Sequence, residues 1–167
     1  MEETKSSEFF MRAALELAKQ SAAEGEVPVG AVIVKDGVII AEGRNRRETG
    51  KNALYHAEIE AIDNACKTLG GWRLWQCDLY VTLEPCPMCA GAILNARIPH
   101  VCYGARDEKN GACGSVVDLM DCFTHRPAVT GGILEEECLS VLQEFFKTLR
   151  EELKTRPKWK KPEPDAK

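Results

Sequence analysis

The chain has 167 residues, 44% of them hydrophobic and 29% charged, with a formal net charge of −4. That length suits one domain burying about 68–70% of the surface its unfolded chain exposes, and the composition excludes disorder, a collagen-like repeat and a coiled coil. A negative sum excludes a surface coated in basic residues for sequence-blind nucleic-acid binding, and no stretch approaches the ~18 apolar residues of a membrane span. Met1-Glu2-Glu3-Thr4-Lys5 has neither the basic start nor the apolar core of a signal peptide, so the expected location is cytoplasmic.

Ser7 to Glu24 reads as a helix, because Phe10, Ala14, Leu17 and Ala18 recur at three and four residues and Gly25 then stops it. Val29 to Val34 and Val38 to Ala41 are β-rich runs joined through Lys35-Asp36-Gly37, a strong hairpin signal. Gly43 to Ala53 has no periodicity and reads as a loop that delivers the chain to His56. From there a second helix runs to Leu69 and stops at Gly70-Gly71. Asp78 to Leu83 is a third strand, and Pro85-Cys86-Pro87 opens a helix that continues through Ala90, Ile93 and Leu94. Val101 to Tyr103 is a fourth strand. Gly104 to Gly114 is a polar, Gly-rich loop, either mobile or wrapped around something, and a short helix fits Val116 to Asp121. The last helix runs from about Leu134 to Lys154, carried by Leu139, Leu142, Phe145, Phe146 and Leu149.

A helix between the third and fourth strands favours parallel pairing, beside an antiparallel hairpin. The expectation is an α/β fold with a mixed central sheet sandwiched by helices, in one domain over 1–155. Residues 156–167 form a basic Pro/Lys-rich tail in which Trp159 could meet a nucleotide. Between Lys147 and Lys161 there are seven basic residues against Glu151 and Glu152, a local patch able to meet phosphate on an otherwise acidic chain.

Eight cysteines are many for this length. Without an export signal a disulfide framework is disfavoured, and Cys66, Cys77, Cys102, Cys122 and Cys138 sit among apolar neighbours, where a thiol behaves as a small hydrophobe. Cys86 and Cys89 differ. Two cysteines three apart at a helix start put both sulfurs on one exposed turn, where free N–H groups favour thiolate. Such a pair serves redox exchange, half of a structural zinc site, or two positions of a catalytic zinc. Redox exchange leaves His56 and Glu58 without a task. A structural site needs a fourth protein ligand, for which Cys113 or His125 would have to come from a distance. A catalytic zinc needs three protein ligands and one open corner, and His56, Cys86 and Cys89 supply those three. Glu58, two residues past His56, is placed to move protons without binding the metal.

Beyond these motifs the chain resembles the bacterial tRNA-specific adenosine deaminases, within the cytidine deaminase superfamily. The resemblance runs from about Glu8 to Leu153. It includes Pro28-Val29-Gly30-Ala31-Val32, Asn45, Tyr80-Val81-Thr82-Leu83-Glu84-Pro85, Gly104-Ala105-Arg106-Asp107, Gly111-Ala112-Cys113-Gly114-Ser115 and His125-Arg126-Pro127. It implies a three-layer α/β/α cytidine-deaminase-like fold and one zinc ion per subunit of a homodimer. The implied reaction is attack of a zinc-activated hydroxide on C6 of the wobble adenosine in a tRNA anticodon stem-loop, with Glu58 as proton shuttle.

It further implies that Asn45 contacts the flipped base or its ribose, and that Ala57 with the backbone around Glu84 and Cys86 positions the ring. His125 and Arg126 face the partner's cleft, and Arg150, Lys154 and Arg156 meet RNA phosphates. The chain departs from the pattern at Asn52-Ala53-Leu54-Tyr55, where Asp-Pro-Thr-Ala is common, and at Thr124, where asparagine is frequent. Bulk from Leu54 and Tyr55 could reshape the pocket for guanine or a free nucleoside, a reaction that uses the same zinc and glutamate. Trp72 and Trp75 read as core or dimer packing.

Overall fold

The computed structural model describes residues 6–157, and Trp159 with most of the basic tail lies outside them. Ser6 opens the first helix, α1 (Ser7–Ala23), where its hydroxyl accepts the Phe9 N–H at 3.3 Å and Glu8 sits in the positive first turn. The chain then forms an antiparallel hairpin of β1 (Gly30–Lys35) and β2 (Val38–Arg44). Asp36 and Gly37, at φ 51° and 73°, supply the two left-handed residues that match a tight turn to the strand twist. Gly43 and Arg44, read above as loop, prolong β2 instead.

Next come α2 (Ala57–Leu69), β3 (Cys77–Leu83), α3 (Pro87–Ala96), β4 (His100–Ala105), β5 (Ala128–Thr130) and α4 (Glu135–Thr155). The strands form one mixed sheet in the order β2-β1-β3-β4-β5. The β3 and β4 strands run parallel across the α3 crossover, as expected, while β1 pairs antiparallel with both of its neighbours.

Strand alternation sorts the core into two layers. Ala31, Ile33, Leu79, Val81, Val101 and Tyr103 face the side packed by α2 and α3, together with Ala57, Ala61, Ala90 and Ile93. Val32, Val34, Tyr80 and Cys102 face the other side, against Phe10, Met11, Ala14 and Leu15 of α1 and Cys138 and Leu142 of α4. A period of two along each strand is what covers both faces of one sheet with helices. The result is the three-layer α/β/α arrangement with a mixed central sheet.

Four expectations are corrected. Residues 116–121 are not a helix. Gly114 N–H donates to Val117 and Leu119 N–H to Ala112, and Cys113 forms an isolated bridge to Asp118, so the backbone is spent on a turn folded back over the preceding loop. The three-residue edge strand β5 was not anticipated; all its residues are exposed, so it carries no buried alternation to read. Trp72 and Trp75 are 51% and 60% exposed, which corrects the core alternative of their reading and leaves the dimer alternative as it was. Cys122 is exposed, with its thiol donating to the Asp118 carbonyl, whereas Cys77, Cys102 and Cys138 are buried and none of the eight cysteines is in a disulfide. Among the described residues no helix is long and apolar enough to cross a membrane.

Small residues bring α2 onto the hairpin. A Cβ added at Gly43 would stand 2.2 Å from the Ala57 carbonyl oxygen and 2.4 Å from the Ala61 nitrogen, both of them backbone atoms that cannot rotate away. Overpacking of this kind costs about 1–3 kcal/mol. Gly43→Ala is therefore expected to reduce the unfolding free energy by at least that much, read from a denaturant titration. Because Ala57 lies between His56 and Glu58, it should also reduce bound zinc, measured by elemental analysis of the purified protein.

Candidate metal centre and its cavity

Two helices begin at the same place. His56 is the N-cap residue of α2 and Cys86 that of α3, with Cys89 in the first turn of α3, and neither cap residue spends its side chain on capping. Their free N–H groups and positive ends therefore face the region where the three donor atoms meet. Pro87, at the first helical position of α3, has no N–H to leave unsatisfied there. His56 Nδ1 lies 3.7 Å from Cys86 Sγ and 3.5 Å from Cys89 Sγ, and all three donor atoms fall within 4.8 Å of one another.

The donor set fits zinc. Zn–S bonds of about 2.3 Å and Zn–N bonds of about 2.0–2.1 Å at a tetrahedral angle place nitrogen and sulfur about 3.6 Å apart, between the two observed separations. The charges also call for a cation. Hydrogen bonds from Cys89 and His56 pull the Cys86 thiol down to about 4 despite burial, while the same Cys86 bond and desolvation push the Cys89 thiol up. One proton is thus left between the two sulfurs. A dication removes that conflict by letting both sulfurs ionise. Cys113 and His125 are not part of the cluster: Cys113 is buried, its N–H donating to Glu84, and His125 Nε2 bonds the Ile98 carbonyl at 2.8 Å.

Glu58 is 4% exposed, on the first turn of α2, with its carboxyl within hydrogen-bonding reach of Cys89. Burial is the main cause that pushes its carboxyl up to about 7, with the Cys86 thiolate adding to the effect. A nearby dication acts in the opposite sense.

His56, Cys86 and Glu58 floor a cavity of about 340 Å³, walled by Asn45, Arg47, Ala57, Leu83, Asp107 and Asn110 among others, with Cys89 buried out of it. Asn45 is held in place: its amide donates to the Val27 carbonyl at 3.1 Å and its Oδ1 accepts the Arg47 N–H at 3.3 Å. Leu54 and Tyr55 do not reach the cavity. Both are exposed, the Tyr55 ring covers Gly50 with Arg46 stacked over it at 5.9 Å, and Asn52 Oδ1 accepts the Leu54 N–H, fixing the turn. The bulk expected to reshape the pocket therefore points elsewhere.

Glu84 lines the cavity, but its side chain is turned to the loop after β4. Its carboxylate is 2% exposed and accepts the N–H groups of Asp107, Cys113 and Ser115, each at 3.1 Å, and the Ser115 hydroxyl. Hydrogen bonds to an ionised group are worth about 1.5–3 kcal/mol each, which makes this the polar anchor of the loop. The Gly-rich stretch read as wrapped around something is wrapped around this carboxylate.

His125, Arg126, Arg150 and Lys154 do not line the cavity. Arg126 pairs with Asp121 at 3.0 Å, and Arg150 and Lys154 are exposed on α4. Sequence reasoning gave no role to Arg47, Asp107 or Asn110. The available signal was their place in polar loops flanking the two motif-bearing helices.

Residues 4–105 match the family model for the cytidine and deoxycytidylate deaminase zinc-binding region. The chain belongs to this deaminase family. It is 48% identical over 149 residues to the tRNA-specific adenosine deaminase of Bacillus subtilis, covering 88% of this chain and 92% of that protein. A structure from a study of A-to-I editing by tRNA:A34 deaminases superposes with a TM-score of 0.78 at 46% identity, over 80% of this chain and 99% of that one. A guanine deaminase from Bacillus subtilis aligns at 48% identity with a TM-score of 0.59, over 61% of this chain and 66% of that one. This deaminase is a zinc enzyme of hydrolytic type, and the His-Cys-Cys group is where its fold can hold the ion.

Replacing His56, Cys86 or Cys89 singly by alanine is expected to abolish stoichiometric zinc, read by atomic absorption. Cys113→Ala and His125→Ala are expected to retain it. Zinc retained by the first three variants would show that the ion sits elsewhere.

Proposed function

We propose that the chain hydrolyses adenosine to inosine at the wobble position of a tRNA anticodon, acting as a homodimer with one zinc per subunit held by His56, Cys86 and Cys89. The observation that carries the reading is the coincidence of two things. Relatives named tRNA-specific adenosine deaminase align along nearly their whole length, and the three donors cluster beside a cavity that His56, Cys86 and Glu58 line.

Zinc supplies a Lewis acid that makes water nucleophilic near neutral pH. Glu58 takes a proton from the attacking water at its carboxylate and delivers it to purine N1, which makes C6 electrophilic. It then carries the second water proton to the 6-amino group, which leaves as ammonia while the water oxygen becomes the inosine carbonyl. Adenosine and water are thereby converted to inosine and ammonia with nothing left over. Ala57, with no exposed surface, lets the base lie close to the start of α2, and Asn45 offers its carboxamide to the base or ribose.

A polynucleotide substrate is supported by the rim. Arg44 and Arg46 are engaged by Glu24 and Glu60, while Arg47, half exposed on the cavity wall, pairs more loosely, with Glu48 at 3.8 Å. Its guanidinium is available to a flanking phosphate, with Arg150 and Lys154 on α4 extending the contact. Exposed Trp72 and Trp75 are apolar groups that a second copy could cover.

Deamination of guanine is the reading that the guanine deaminase likeness favours. The two separate when zinc-loaded protein is incubated with a tRNA anticodon stem-loop, free adenosine and guanine, with products read by mass spectrometry. Inosine confined to the wobble position is expected, and xanthine from guanine alone would overturn the proposal.

Glu58→Ala should keep zinc and fold yet lose about 10²–10⁴-fold in turnover, the usual contribution of a positioned acid–base group. Arg47→Ala should weaken stem-loop binding and lower the slope of log K against log salt by about 1, measured by fluorescence anisotropy at several ionic strengths.

A further inference from the structure

Four donors converge on Glu84, and that number matters. A carboxylate offers about four lone-pair positions. Glu84 Oε1 accepts from Cys113 N–H and Ser115 N–H, and Oε2 from Asp107 N–H and the Ser115 hydroxyl. The group lies at the cavity yet has no acceptor capacity left for a substrate, so any influence it has on binding is indirect.

We propose that Glu84 is a positioning residue for substrate binding: its saturated carboxylate fixes the cavity wall that carries Asp107 and Asn110. The inference takes from the proposed function only that the cavity binds the reacting base.

The connection can be followed bond by bond. Asp107 is pinned through its N–H to Glu84 Oε2 at 3.1 Å. Its own Oδ1 then accepts the N–H groups of Lys109 and Asn110, each at 3.0 Å, and its carbonyl accepts Gly111 N–H at 2.8 Å. The Asp107 end of the Asp107–Gly111 turn is thus tied to one buried oxygen, while the Gly111 carbonyl accepts the N–H groups of Val116 and Val117. Gly111 lies directly against the carboxylate, where an added Cβ would stand 2.5 Å from Glu84 Cδ. The same stretch of backbone reaches the metal side, because Ala112 N–H donates to the Pro85 carbonyl and Glu84 N–H to the Ala105 carbonyl, each at 2.8 Å. One carboxylate therefore registers the substrate-facing wall against the strand end that presents Cys86. Asn45 and Arg47 form the opposite wall from a separate loop, tied to the Val27 carbonyl and the Glu26 carboxylate.

Glu84→Gln is the informative change, because an amide nitrogen cannot accept and at least one of the backbone donors must lose its partner. Steady-state kinetics on the anticodon stem-loop, bound zinc and amide hydrogen exchange are measured for wild type, Glu84→Gln, Asp107→Ala and the double variant. The expected result is KM raised about tenfold or more with kcat within about threefold, the signature of lost ground-state positioning. Zinc should stay at one per chain, and exchange at the Asp107, Cys113 and Ser115 amides should accelerate. On the Asp107→Ala background, Glu84→Gln should add less than about threefold, since one residue acts through the other.

Unchanged kinetics, a fall in kcat with KM intact, loss of zinc, or additive effects in the double variant would each overturn the proposal. If Glu84→Gln does not fold, Ser115→Ala removes one donor of the four. It should raise KM in the same direction by a smaller factor, and an unchanged KM overturns the proposal equally. If wild type converts guanine and not the stem-loop, the proposed function fails, and the same comparison on guanine decides the role of Glu84.

Discussion

Everything in this deaminase depends on two helix starts being aimed at one point. The α2 and α3 helices open with His56 and Cys86 in their cap positions, and both give up side-chain capping so that those atoms can face each other. A missing cap costs about 0.5–2 kcal/mol of helix stability, so the arrangement is a standing expense without metal. The sulfurs, Cys86 favoured as thiolate and Cys89 as thiol, and the Glu58 carboxyl buried beside them make a site whose negative charge a dication compensates. Structural zinc sites bind with about 10–16 kcal/mol in small peptides, a scale large enough to offset the missing caps. The close contact of Gly43 with α2 and the Pro87 start of α3 set the aim that makes this possible.

Two buried glutamates show how surroundings divide labour between identical side chains. Glu58 and Glu84 are 4% and 2% exposed and both line the same cavity. Glu84 meets four donors and is consumed by structure. Glu58 stands within hydrogen-bonding reach of Cys89 and is disfavoured as an anion by burial, which is the environment that the proposed proton shuttle needs. Catalytic carboxyl groups are recognised by what their neighbours leave undone rather than by depth.

The difference explains which parts of the site were legible in the sequence. His56, Glu58, Cys86 and Cys89 are local: their chemistry is set by spacing along two helix starts, and the helices are announced by periodicity, a Pro and Gly stops. The mixed sheet was legible for the same reason, since Asp36-Gly37 marks a hairpin and α3 forces a parallel crossover. What failed lacks a local period. The edge strand β5 is short and exposed, and residues 116–121 carry enough apolar residues to suggest a helix but place their backbone bonds across a turn. Glu84 could be read only as a motif residue, because its partners lie 23 to 31 positions away. The same distance hid Asp107 and Asn110, whose place at the cavity follows from that long-range bond.

The loop between β2 and α2 carries the argument about specificity one step further. It turns Asn45 and Arg47 toward the cavity, uses Arg46 on Glu60, leaves Leu54 exposed and lays Tyr55 over Gly50. A sequence departure next to the metal ligand thus leaves the pocket floor untouched. The metal donors in this fold sit at secondary-structure ends, while much of the cavity wall comes from loops, which can change residue by residue. An adenosine deaminase and a guanine deaminase each share nearly half of their aligned residues with this chain, and the loop residues Asn45, Arg47, Asp107 and Asn110 are the part of the cavity wall that the metal motifs do not constrain.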